Sequence, residues 1–70
     1  MSIDEALELD SGDRAQLSQQ LDSVLQLLES FRKRYPQSFQ HLCEEAIATG
    51  EMSLGDAIAA LSWTTDYLAQ

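Results

Sequence analysis

A second cysteine is missing from this 70-residue chain, and with it any internal disulfide. Small extracellular domains use cystine staples to make up for a thin core, so their absence points to a reducing compartment. Cationic side chains are scarce as well: four Lys and Arg stand against twelve Asp and Glu, a formal charge of −8. Phosphate backbones and anionic lipid surfaces are bound through Lys and Arg. The reading is therefore no nucleic acid and no membrane as partners. No apolar run approaches the ~20 residues that a spanning helix needs. The opening MSIDEALELD is acidic where a signal peptide would be basic and then apolar, which makes a cytoplasmic location the expectation.

Glycine and proline are sparse enough to act as punctuation, with three and one respectively. Residues 1–12 read as an acidic arm, partly disordered, carrying Asp4, Glu5, Glu8 and Asp10. Ile3, Ala6 and Leu7 behind Ser2, with Glu5 completing a capping-box pattern, allow a turn or two of helix that Gly12 breaks. Residues 13–70 then form a single helical domain. Its first helix runs from about Asp13 to Tyr35, capped by Asp10, Ser11 or Asp13 and stopped by Pro36. The second fits about 36–49, with Phe39, Leu42, Cys43, Ala46 and Ile47 as its apolar stripe and Gly50 as terminator. The third spans about 54–68 behind the capping box Ser53-Leu54-Gly55-Asp56, with Met52 placed as a hydrophobic staple. Its main stripe is Leu54, Ala57, Ile58, Leu61, Thr65 and Leu68. The fold class is all-α: a long helix followed by two shorter ones, a three-helix bundle or hairpin.

The long helix presents Leu17, Leu21, Val24, Leu28, Phe31 and Tyr35 at alternating spacings of four and three, a coiled-coil seam. Burying those six side chains is worth roughly 9–18 kcal/mol gross, comparable to the net stability of a whole domain. The seam is thus read as core or as a dimer interface. At ~1.5 Å per residue the first helix is about 34 Å long and the others about 21 and 22 Å, so neither short helix covers it alone. Either the short helices lie end to end against the long one, or two copies pair their long helices. Leu25 and Leu27 flank the seam about 80° to either side, wider than a two-stranded seam requires. That width favours a bundle completed by homodimerisation. A chain this small buries only ~60% of its unfolded surface, and oligomerisation is a common remedy.

On the third helix, Asp56, Ala60, Trp63 and Tyr67 form another three-and-four repeat, with Trp63 about 165° from the main stripe. Either the helix is buried on both sides, or these four residues bind a partner. Trp and Tyr are the side chains most enriched at binding hot spots, and Ala59 and Ala60 permit close approach of a helix.

Chemistry is poorly represented. His41, Cys43, Glu44 and Glu45 cluster on the second helix, but Cys43 belongs to its apolar stripe, and one His and one Cys cannot complete a structural zinc site. His41 has no oxyanion-hole loop beside it, and Gly50 and Gly55 lack the spacing of a phosphate loop. The expectation is no enzyme, no metal and no cofactor. Arg32, Lys33 and Arg34 sit where cations complement a helix C-terminus, or where they can pair with the acids of an antiparallel mate.

The acidic arm, the leucine-seamed helix and the return segments SFQHLCEEAI and AIAAL resemble the small helical-hairpin co-chaperones of bacterial type III secretion needle subunits. Over residues 14–68 the resemblance implies a hairpin that docks on a helical-repeat chaperone. The interruption GEMSLG departs from that pattern, where the return arm should be continuous. The functional expectation is a protein-protein interaction module, regulatory subunit, adaptor or small chaperone, with a protein partner and a homodimer. The alternatives are an acidic inhibitor that mimics nucleic acid on a basic target, or such a co-chaperone.

Overall fold

The computed structural model describes residues 6–70, so the expected capping box of Ser2 and Glu5, with Ile3, lies outside the described residues. It is all-helical there: α1 spans Ser11–Arg34, α2 Pro36–Ala48 and α3 Leu54–Leu68. The expected boundaries hold to within two residues, and the differences have local causes. α1 starts earlier because Asp10 is the N-cap, its carboxylate accepting the Asp13 N–H at 2.7 Å. Gly12 therefore lies inside the first turn and does not break the chain. The entropic cost of glycine weighs most in a helix interior, so it is tolerated in the first turn. A Cβ on Gly12 would stand 3.3 Å from the capping oxygen.

At the α1–α2 junction, the residue preceding a proline is driven out of the helical region. Tyr35 accordingly takes φ −134°, ψ 63°, and Pro36 opens α2. Tyr35 still donates to the Phe31 carbonyl and accepts from the Phe39 N–H, both at 2.9 Å, so it links the two helices across the break. α2 ends in a Schellman turn. Gly50 adopts φ +78°, and the N–H groups of Gly50 and Glu51 donate back to Ile47 and Ala46. Ser53 then caps α3 in a reciprocal box: its Oγ accepts the Asp56 N–H, and the Asp56 carboxylate accepts the Ser53 N–H at 3.1 Å. Met52 does not staple. It is 75% exposed, because its partner position in the first turn is Ala57, a half-buried methyl too short to meet it.

α3 runs back along α1. The Arg14 guanidinium donates to the Gln70 carbonyl at 3.0 Å, joining the start of α1 to the end of the chain. Measured back from there, the ~22 Å of α3 reaches the level of Leu25 to Glu29 on α1. Too little of α1 remains for α2 to lie in line with α3, so the end-to-end hairpin is not the arrangement. α2 instead turns off the end of the pair, held by Phe39 against Phe31 with ring centroids 5.9 Å apart, edge to face.

The interior is thin. Phe39, Ile58 and Leu68 are the buried apolar side chains among the described residues, with Ser53 and Thr65, and no side chain is fully enclosed. The radius of gyration is 14.8 Å, above the ~11 Å of a compact chain of this length. α3 behaves as expected, with its whole main stripe buried or half-buried. α1 does not, having no buried residue at all. The expected seam is split: Leu21, Leu28 and Phe31 are half-buried, whereas Leu17, Val24 and Tyr35 are exposed. The stripe that is covered comprises Arg14, Ser18, Leu21, Leu25 and Leu28, turned about 60° from the seam. One neighbour covers one stripe, and the apolar face of α1 is wider than that. Half of the seam thus packs within the single chain and half stays exposed.

Candidate partner-binding surfaces

The face of α3 that turns away from α1 carries the one tryptophan. Trp63 is 65% exposed, and its ring stacks on Tyr67 one turn later, centroids 5.1 Å apart and planes 18° from parallel. Both follow from the main stripe: once Ile58, Leu61, Thr65 and Leu68 face α1, helical geometry turns Trp63 outward. The stacked rings make a flat aromatic plate on this face. Ala59 and Ala60 are exposed beside it, and the Ala60 carbonyl accepts the Thr64 hydroxyl at 2.7 Å. Three of the four expected residues, Ala60, Trp63 and Tyr67, thus share an accessible face. The fourth, Asp56, is engaged in the cap of its own helix.

A second apolar surface is open on the single chain, and it includes half of the seam read as core or dimer interface. Leu17, Val24, Leu27 and Tyr35 of α1 are exposed, Leu27 at 69%. On α2, Leu42 and Ile47 are exposed on either flank of the covered strip of Phe39, Cys43 and Ala46. Their spread of about 140° around a 13-residue helix was a readable sign that one neighbour would not cover them all.

Charge is distributed unevenly along α1. Glu8, Asp10 and Asp13 stand at its N-terminal end, and exposed Arg32, Lys33 and Arg34 at its C-terminal end. Arg32 pairs with Glu29, and the Arg34 guanidinium lies 6.0 Å from the centre of the Tyr35 ring.

The residues weighed for metal or nucleophilic chemistry do not converge. His41 and Glu45 are both exposed with 4.0 Å between Nε2 and the carboxylate, while Cys43 is half-buried on the inner stripe. Among the described residues, no three His, Cys, Asp or Glu gather to hold a metal ion. An open depression of about 720 Å³ lies between α1 and α2, lined by Leu25, Gln26, Glu29, Ser30, Arg32, Lys33 and Pro36. A smaller one, about 370 Å³, surrounds Arg14 and Gln70. Neither is lined by His41 or Cys43. Among the described residues no helix is long and apolar enough to cross a membrane.

Comparison with known proteins finds no matching family model, no matching curated protein and no matching solved structure.

Proposed function

We propose that this chain is an acidic helical interaction module that self-associates and acts in the cytoplasm by binding a protein partner, as a regulatory subunit, adaptor or small chaperone does. On this reading it is not an enzyme and uses no cofactor. The observation that carries the proposal is the stacked Trp63–Tyr67 pair on the outer face of α3. A 65% exposed tryptophan is poorly placed to stabilise the protomer. In a desolvated pocket it would be a typical hot spot. The open apolar side of α1 supports self-association, and the net charge of −8 supports selection and rapid capture of a basic partner.

Capture from the native host with wild type and Trp63→Ala, each at low and high salt, tests this reading. Burial of apolar faces predicts retention at high salt and loss with Trp63→Ala. Mimicry of nucleic acid predicts the reverse, and that result would replace this proposal. Docking on a helical-repeat chaperone is the special case in which the captured protein is one.

A further inference from the structure

We infer that α1 pairs with α1 of a second copy in antiparallel orientation, through the stripe Leu17, Val24, Leu27 and Tyr35, with Asp13 of each copy set against Arg34 of the other. This rests on the self-association proposed above and assigns its surface, direction and register.

Counting 100° per residue, the exposed stripe is centred about 90° from the one that α3 covers. Along the stretch from Leu17 to Leu27 a helix seated on it meets α1 beside α3 without displacing it, while near Phe31 it shares the face with α2, whose Phe39 packs there. Trp63 faces outward on the far side of α3, so the pairing leaves that surface free. The need for such a neighbour is visible in the protomer, where α1 buries no residue and, among the described residues, no side chain is fully enclosed.

The ends of the stripe set the direction. Asp13 lies in line with it at the N-terminal end, within about 10° of its centre, and Arg34 flanks the C-terminal end. Parallel pairing would set Asp13 beside Asp13 and Arg34 beside Arg34, with both helix dipoles aligned. Antiparallel pairing sets each charge against its opposite and opposes the dipoles. Register follows from the same ends. The midpoint of Asp13 and Arg34 falls between Ser23 and Val24, so Val24 sits beside the two-fold axis. On this register Leu17 lies about level with Phe31 of the second copy, whose ring also packs on its own Phe39, and Leu27 lies about level with Leu21, which already flanks α3.

The test uses the full chain. In a Cys43→Ala background, Val24→Cys and Leu17→Cys are each treated with a short bis-maleimide, and masses are followed by light scattering. The expected result is a dimer in which Val24→Cys links and Leu17→Cys does not, because the two Leu17 positions lie about 21 Å apart along the axis. In the wild-type cysteine background, which avoids any folding defect from Cys43→Ala, Asp13→Lys and Arg34→Glu should each weaken dimerisation about two- to fivefold. The double reversal should restore it. A dimer that links through Leu17→Cys is parallel, and one that links through neither position uses another face. Either result overturns this inference while leaving self-association intact. A monomer at every concentration overturns both.

Discussion

Replacing Trp63 by alanine separates a binding surface from a core position within one helix. About a third of the Trp63 surface is covered in the protomer, and its contact of note is the stack on Tyr67 at 5.1 Å. Losing such a stack costs about 0.5–1.5 kcal/mol. Alanine returns about 0.5 kcal/mol through its higher helix propensity. The covered third of the ring adds about 1 kcal/mol of lost burial, so the net destabilisation is below about 2 kcal/mol, a fall in Tm of less than about 16 °C for a domain of this size. Ile58, one turn and a half earlier, is 8% exposed against α1. Ile58→Ala should cost about 2–3 kcal/mol, the low end for buried isoleucine because a thin interior relaxes around the gap, and lower Tm by roughly 10–20 °C. Circular dichroism melts of the two variants at equal concentration measure both. Partner affinity should move the other way, with Trp63→Ala losing about 30-fold or more. A Trp63→Ala melt as damaged as that of Ile58→Ala would refute the reasoning, since Trp63 would then be core in the working protein.

Two further variants probe the junction that positions α3. Gly50→Ala should lower stability by about 1–2 kcal/mol, the cost of placing an L-residue in the left-handed region, since nothing lies within 4 Å to clash with the new methyl. A thermal melt unchanged from wild type would show that the turn takes another conformation. Ser53→Ala removes one half of the capping box and should cost about 0.5–2 kcal/mol in a chemical-denaturation series. Asp56→Ala removes the other half and should likewise lower the denaturation midpoint, while partner capture is unchanged.

Most of the helix punctuation was legible because it is local. Pro36, Gly50 and the Ser53–Asp56 pair act through the backbone within a few residues, and each does in the structure what its type and spacing imply. The outward aim of Trp63 was legible for the same reason, since the main stripe of α3 is unambiguous. The seam of α1 is covered only in part because large apolar residues line half the helix, and periodicity alone does not say which part of that half a neighbour reaches. The covered stripe includes Arg14 and Ser18, polar types that a search for apolar periodicity does not pick out, with Arg14 bonded to the Gln70 carbonyl. Met52 and Gly12 failed for a related reason: each was judged by its own type, while Ala57 and the Asp10 carboxylate decided the outcome.

The central claim is that one copy of this chain leaves apolar helix faces that another chain covers. Melting followed over a hundredfold range of concentration, with mass from light scattering on the same samples, tests it most directly. A complex that dissociates on unfolding has a Tm that rises with concentration. The account predicts that rise, together with a mass of twice 7.8 kDa at the upper end. A single cooperative melt at constant Tm, with a mass of 7.8 kDa throughout, would contradict it.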